Sequence, residues 1–395
     1  MKTRLLILMT VGLLFAGCSK EVEQSLSTSN MQLKSASVID GSTTYQSIDG
    51  FGFSDGWCNT LSSAKNNALY NTIGMNIFRA FIQPTGGYTT PSANIAAARS
   101  AGATVFCTFW PKDEWKVSST DNHLDSAHFA DYANYIKSLS SPFDYVSPFN
   151  EPDNVGGSMH SQSSGTEIRD FVKAQGSNCG KPIIVAEAMS FNDSWTDPTL
   201  NDATAASKVS IIGGHIYGNG LRVHQNAIDK GKHVWQTEHF VENQNDITSA
   251  LTLAKEVSDC MYNQFSAYVY WWVNDSKSEN LVNNDGTIYK GGYVFGQFAK
   301  WIRPGKVRIA ANYNPATNIY ITAYRNNGIV IVALNTGPSS VSQTFTIQNI
   351  SGLSLLNVHR TSSSENMASI GTIAVTNNAF TYALPAQSVT TFHQY

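Results

Sequence analysis

Charge is scarce in this chain. Only 14% of its 395 residues are Asp, Glu, Lys or Arg, and 26 basic against 29 acidic residues leave a net charge of −3. No Lys/Arg cluster gathers the basic residues, so the electrostatic footprint of a nucleic-acid binder is missing. Long apolar runs are lacking too. The sustained one, Leu5 to Ala16, falls short of a roughly 30 Å hydrocarbon core at about 1.5 Å per residue, so it does not span a membrane. Neither CxxC nor HExxH occurs, and Cys58, Cys107, Cys179 and Cys260 lie too far apart in sequence for a zinc cluster. Gly213-Gly214 and Gly291-Gly292 lack the spacing and context of phosphate cradles. No metal, nucleotide or flavin cofactor is therefore expected. Aromatics, by contrast, are plentiful, with 8 Trp, 17 Tyr and 19 Phe. That content rules out a disordered chain. A polar, uncharged, aromatic-rich surface suits neutral ligands, sugars first among them.

The first residues read as an address. Lys2 and Arg4 precede the apolar run, which ends in the small residues Ala16-Gly17-Cys18, the layout of a secretory signal. Phe15-Ala16-Gly17-Cys18 resembles a bacterial lipobox, in which cleavage leaves a lipidated Cys18; an ordinary signal with an incidental cysteine is the alternative. Residues 1–17 are thus read as a lipoprotein signal peptide and 18–32, polar and Ser-rich, as a flexible tether. The expected location is the bacterial outer membrane, on its periplasmic or outer face, with a lipid anchor as the membrane contact and a monomeric protein beyond it. Ser19-Lys20-Glu21 after the cysteine hints at the outer face. In an exported protein the other four cysteines could pair, in a connectivity the sequence does not specify. Cys107, in an apolar run, reads as a buried thiol.

From residue 49 to 305 short apolar runs alternate with helical stretches. Expected strands are Ile48–Phe53, Asn76–Phe81, Thr104–Trp110, Tyr145–Phe149, Ile183–Glu187, Ile211–Tyr217, Val234–Glu238 and Ala267–Trp272. Helical stretches include Pro91–Ala101, Ser126–Leu139, Thr166–Gln175 and Asp246–Asn263. This count and length fit a (β/α)8 TIM barrel, an α/β fold. After Arg303-Pro304-Gly305 the apolar period becomes two, as in Ile319–Tyr324 and Ile329–Leu334 around the hairpin signal Asn326-Asn327-Gly328. Further runs at Thr344–Gln348, Thr372–Val375, Phe380–Leu384 and Ser388–Phe392 complete an antiparallel β-sandwich over residues 306–395. Residues 33–48, with a strand pair expected around Asp40-Gly41, join that side domain.

Active sites of such barrels lie at the C-terminal ends of the strands. The fourth strand runs into Asn150-Glu151-Pro152-Asp153 and the seventh into Glu238-His239. Two glutamates there can face each other across the mouth, the arrangement for glycoside hydrolysis with retention when about 5–5.5 Å apart. Glu187, ending strand five, and Asp153, Asp55 and Asp113 compete for these roles, although an isolated barrel carboxylate is more often solvated or ion-paired.

Several stretches now carry a resemblance. Phe149-Asn150-Glu151-Pro152-Asp153, Gly213-Gly214-His215-Ile216-Tyr217-Gly218, Trp235-Gln236-Thr237-Glu238-His239 and Tyr268-Val269-Tyr270-Trp271-Trp272 are similar to glycoside hydrolase family 30. So are Ile48-Asp49-Gly50-Phe51-Gly52, Ile302-Arg303-Pro304-Gly305 and Pro385-Ala386-Gln387-Ser388-Val389-Thr390-Thr391-Phe392. The likeness spans residues 36 to 395 and is greatest to the bacterial xylanase subfamily 8. It implies retaining endo-hydrolysis of β-1,4-xylan, with Glu151 as acid/base and Glu238 as nucleophile. It further implies that Asn150 bonds the sugar 2-hydroxyl, that His215 and Tyr217 position the nucleophile, and that Arg79 lies near it; a purely structural ion pair is the alternative for Arg79. Trp57, Trp110 and Trp271 would be sugar platforms unless they are core, and Tyr293 a substrate contact, whereas Trp195 and Trp301 read as structural.

Two departures stand out. Where glucuronoxylan-specific members carry Ser-Lys-Arg-Gly-Tyr, this chain has Tyr289-Lys290-Gly291-Gly292-Tyr293, so Gly291 replaces the arginine that holds the glucuronate carboxylate. Glycine cannot replace a bidentate contact, and Lys290 is at best a point charge elsewhere. Asp275 in Val273-Asn274-Asp275-Ser276 would repel an acidic branch if it lay near. The expected substrate is therefore xylan or xylo-oligosaccharides without dependence on glucuronic acid. The second departure is the short, charged Phe109-Trp110-Pro111-Lys112-Asp113-Glu114-Trp115 stretch, which puts nearby subsites in doubt. Alternatives are a glucuronoxylan-specific xylanase, a β-1,6-glucanase or glucosylceramidase-like hydrolase of the same family, and a non-catalytic glycan-binding lipoprotein.

Overall fold

A computed structural model of the chain describes residues 36–83, 87–118, 120–154 and 161–394. The leader, Cys18 and the tether lie outside the described residues. Among those described, no helix is long and apolar enough to cross a membrane.

Eight parallel strands close into a barrel: β2 (Gly50–Ser54), β3 (Ile77–Ile82), β4 (Thr104–Phe109), β5 (Tyr145–Ser147), β6 (Ile183–Ala188), β7 (Val209–His215), β8 (His233–Glu238) and β9 (Ala267–Tyr270). Each overlaps an expected run. Among the crossovers are helices Ser92–Ser100, Phe129–Leu139, Gly165–Gln175 and Ile247–Tyr262. Ser164 caps the third of these through a capping box with Glu167, and the Asp246 carboxylate caps the fourth. The Ser126–Leu139 stretch begins instead as a short 3-10 turn, Ser126–His128.

Period-two alternation fills the barrel in layers. At its lower end Ile77, Phe106, Ile184, Ile211, Trp235, Ala267 and Val269 form a dry plug. The Trp235 indole meets Phe106 and Tyr145 edge-to-face at 5.8 and 5.7 Å. Two residues further along the same strands the side chains are Arg79, Thr108, Ser147 and Thr237, all buried. The barrel is apolar below and polar beneath its mouth.

The side domain is one nine-stranded sheet in the order β15-β14-β17-β12-β11-β10-β1-β13-β16. Its strands are β1 (Ser37–Ser47), β10 (Val307–Ala311), β11 (Ile319–Arg325), β12 (Val330–Asn335), β13 (Val341–Gln348), β14 (Leu355–Thr361), β15 (Ala368–Ala374), β16 (Ala379–Leu384) and β17 (Ser388–His393). It folds over a core that includes Ile39, Ile321, Phe345, Phe380 and Phe392, giving a sandwich-like body. Two details differ from expectation. The Ala36–Gln46 stretch is one irregular strand, not a pair: its register shifts between Asp40 and Thr44, and the Asp40 carboxylate accepts from Ser42 N–H at 2.9 Å, which makes a local kink without reversing the chain. Nor is the sheet wholly antiparallel, because β1 runs parallel to β13.

The helix Lys290–Ala299 joins the two bodies. Gln297 Nε2 donates to Thr361 Oγ1 at 2.9 Å and Thr391 Oγ1 donates to the Gln297 carbonyl at 2.9 Å. The four cysteines are free and buried, with no disulfide among them.

Candidate active site

Glu151 and Glu238 do converge on the mouth. Glu151 follows β5 with φ of +45° and Glu187, in β6, has φ of +50°. Left-handed backbone at a non-glycine residue costs on the order of 1–3 kcal/mol and persists only when its surroundings fix it. Here the Glu151 N–H donates to the Glu187 carbonyl at 2.8 Å. The β6–β7 register slips between Ala186 and Ala188, at Glu187, and the β7–β8 register slips between Gly214 and His215, opposite the end of β8. Such slips re-aim side chains at strand ends. One donor atom from each of Glu151, His215 and Glu238 lies within 4.8 Å of the other two.

Arg79 sits beneath them, fully buried. Its guanidinium pairs with Glu238 Oε2 and with Glu187 Oε1 (3.0 Å), and it donates to Asn150 Oδ1 (2.7 Å) and Thr108 Oγ1 (3.1 Å). Tyr217 donates its hydroxyl to Glu238 Oε1 at 3.1 Å. His215 Nδ1 lies 3.0 Å from Glu151 Oε1, while its Nε2 is 3.7 Å from Glu238 and 3.8 Å from Glu187. Asn154 Nδ2 donates to Glu151 Oε2 at 2.9 Å.

These contacts set the charges. Burial opposes the Glu187 carboxylate, but Arg79 and His215 overcome it and hold its pKa down at about 2. Burial also opposes an imidazolium at His215, yet Glu238, Glu151 and Glu187 together raise its pKa to about 9. His215 is therefore a cation at neutral pH. The Glu151–His215–Glu238 donor set could in principle hold a metal ion. These donors are already taken up within the cluster, Glu238 by Arg79 and Tyr217 and Glu151 by His215 and Asn154.

The aromatic residues separate by exposure. Trp57 is 42% exposed and meets Trp271 edge-to-face at 5.7 Å. Phe81 contacts Trp57, Trp110 and Trp271, forming the floor of this wall. Trp110 is only 6% exposed and packs against Phe81, so it belongs largely to the core. Tyr293 is half-buried on the linking helix, and among the described residues no bond joins it to the carboxylates. Beside Trp57 a cavity of about 150 Å³ is lined with Asn59, Thr60, Asn274, Asn284 and the Lys65–Asp275 ion pair. Asp275 is thus compensated by Lys65, and the expectation that it would repel an acidic branch does not hold as a simple charge effect.

The competing carboxylates find other uses. Asp55 is buried, accepts from Thr90 and Asn94 at 2.8 Å each, and burial pushes its pKa up to about 7. Asp153 ties down the loop after β6 through Met189 N–H (2.6 Å) and Ser190 N–H (3.0 Å). Asp113 is an exposed partner of Lys116. Sequence reasoning passed over Thr108 and Phe81 and ranked Glu187 low. The signal for Glu187 was its place at a strand end, which the role of counter-ion to Arg79 explains.

Replacing Arg79 with Met would leave Glu187 and Glu238 buried without their cation, at a cost of about 3–5 kcal/mol, read from urea unfolding. Arg79→Lys should not restore stability, because a point charge cannot reach four acceptors. His215 gives a pH signature of its own. Its folded pKa is raised, so its contribution is complete below its ordinary value of 6.5 and is lost as pH climbs through about 9. Melting curves of the wild type and His215→Gln from pH 6 to 10 should converge over that range; a constant difference would exclude the linkage.

Residues 305–392 match the glycosyl hydrolase family 30 beta sandwich domain. The glucuronoxylanase XynC of Bacillus subtilis (strain 168) is 30% identical over 391 residues, spanning 90% of this chain and 90% of that protein. The glycoside hydrolase family 30 subfamily 8 xylanase Xyn30A of Clostridium acetobutylicum superposes with a TM-score of 0.85 at 36% identity, covering 91% of this chain and 99% of that one. A GH30 endoxylanase from Clostridium papyrosolvens C71 gives 0.82 at 34% identity, with coverages of 91% and 99%. In sequence along nearly its whole length, and in fold, the chain belongs to glycoside hydrolase family 30.

Proposed function

We propose that this protein is a retaining endo-β-1,4-xylanase that does not depend on glucuronic acid branches. The observation that carries the retaining mechanism is the approach of Glu151 and Glu238 oxygens to within 4.8 Å. That spacing suits direct attack and leaves no room for the water an inverting enzyme activates between its carboxyls. Glu238, paired with Arg79 and Tyr217, attacks the anomeric carbon as a carboxylate. Glu151 gives its proton to the departing glycosidic oxygen. Glu151 then takes a proton from water, whose oxygen displaces Glu238 from the anomeric carbon, so the configuration is inverted twice. Asn150, held by Arg79, is proposed to bond the 2-hydroxyl. Trp57 and Trp271 are proposed as platforms, since both pack on Phe81, whose ring lies 4.6 Å from the Arg79 guanidinium, and the exposure of Trp57 supports stacking on pyranose faces.

Independence from glucuronate is supported at Gly291. A Cβ there would lie 1.9 Å from Gln244 Oε1, and the Gly291 N–H donates to the Gln244 carbonyl at 3.0 Å. The close packing accommodates no side chain. Lys290 turns away, with Nζ 2.5 Å from Asn366 Oδ1 of the side domain. Lipidation at Cys18 and outer-membrane location remain proposals supported by the Phe15–Cys18 sequence.

Glu238→Gln should abolish hydrolysis of linear xylan while leaving polysaccharide retention in affinity gels unchanged. Glu151→Gln should slow turnover about 10²–10⁴-fold, and NMR of early products should show the β anomer; an initial α product would exclude retention. Matched xylo-oligosaccharides with and without a glucuronate branch should be cleaved at comparable rates. A large preference for the branched one would refute independence, and cleavage of β-1,6-glucan in preference to xylan would refute the substrate class.

A further inference from the structure

A second cavity, of about 450 Å³, opens where the barrel ends and the side domain begins, at residues 300–306 and the β11–β12 hairpin. It lies away from the mouth: the linking helix starts beyond β9 at the mouth side and reaches this cavity at its other end, after Ala299. Its volume falls within the range of about 300–1,000 Å³ usual for small-molecule sites.

The lining is one-sided in charge. Lys300, Arg303 and Lys306 contribute, and no carboxylate lines the cavity. Each cation is tethered to backbone carbonyls: Lys300 to Asn71 (2.6 Å), Arg303 to Gly74 and Ala299, and Lys306 to Asn326, Asn327 and Gly328 (2.8–3.0 Å). Among the described residues none of the three has an acidic partner. Fixed cations without counter-ions make a positive pocket.

The second observation concerns two aromatic side chains. Trp301 and His393 stack at 3.9 Å, and both line the cavity. The His393 side chain is buried (3% exposed), its Nε2 is 2.9 Å from His359 Nδ1, and its Nδ1 has no protein partner; nor has the buried indole N–H of Trp301. Burial and the nearby His359 and Lys306 hold His393 down at a pKa of about 4, so it adds no charge of its own to the cavity.

We propose that this cavity is a second saccharide site that takes a uronate: Lys300 and Arg303, which keep N–H groups beyond their backbone contacts, meet its carboxylate, while the Trp301 ring and the Asn326–Asn327 turn meet its ring and hydroxyls. It rests on the chain's family for the saccharide, and on the cavity itself for the charge. A site of this kind would retain uronate-decorated polysaccharide although the mouth does not read the decoration.

Titration calorimetry of the full chain with sodium D-glucuronate, D-glucose and sodium phosphate tests it. Glucuronate should bind, weaken with added NaCl, and exceed glucose roughly tenfold or more, the effect of about 1.4 kcal/mol. Lys300→Glu, on the cavity rim and outside the catalytic cluster, should weaken glucuronate by a similar factor with melting temperature and hydrolysis of linear xylan preserved. Lys300→Gln should fall between. Equal binding of glucose, equal binding of phosphate, no binding at all, or binding indifferent to Lys300→Glu would each overturn the proposal. Because these readouts involve no turnover, failure of the xylanase assignment would appear separately, in the hydrolysis assays.

Discussion

Arg79 is the residue on which the barrel mouth depends. It is fully buried and faces three carboxyl groups, two of them in direct ion pairs. Burying a guanidinium costs several kcal/mol unless its partners are as well ordered as it is. That condition reaches outward. Glu187 must be charged, Glu238 must be aimed inward, and Thr108 and Asn150 must fill the remaining donors. His215 adds a second cation between the carboxyl groups. Arg79 pairs with Glu187 and Glu238 while His215 Nδ1 faces Glu151 at 3.0 Å, so three carboxyl groups share two cations and the placement of each constrains the others.

The polar cluster is possible because the barrel beneath it is dry and rigid. Trp235, Phe106 and Tyr145 interlock below, so the side chains two residues further along stand on a packed floor. The departures from regular geometry lie above it: left-handed backbone at Trp57, Glu151 and Glu187, and slipped register at Glu187 and beside Glu238. Regular structure sets the floor, and the irregularities aim the groups.

What sequence reading recovered follows the same division. Every barrel strand overlapped its apolar run, because a strand closing a parallel barrel is buried on both faces and reads as continuous hydrophobicity. Glu151 and Glu238 were legible since strand ends are where the mouth must be. Two sandwich strands, β10 (Val307–Ala311) and β14 (Leu355–Thr361), escaped notice; each mixes Arg, Asn or His with short apolar residues, which weakens the period-two pattern. The Asp40-Gly41 turn signal was real chemistry with a different outcome: Asp40 bonds Ser42 locally, and pairing of the same strand with both β10 and β13 overrides the reversal. Thr108 and Phe81 gave no signal because a buried threonine or phenylalanine in a strand has an ordinary reason to be there. Only the positions of Arg79 and Trp57 reveal their use.

The glycine at 291 illustrates why a missing residue must be read together with its surroundings. From sequence it is an arginine's absence. In the fold it is a close backbone approach, with Gln244 occupying the space into which any side chain would project. Restoring an arginine there would first require moving Gln244, whose amide donates to the Val241 carbonyl at 2.9 Å, and with it the loop after β8 that also carries His239 and its contact with Glu256. The glycine at 291 is thus tied to the packing of two loops, and a single substitution there would have to displace Gln244 before a new side chain could reach a carboxylate.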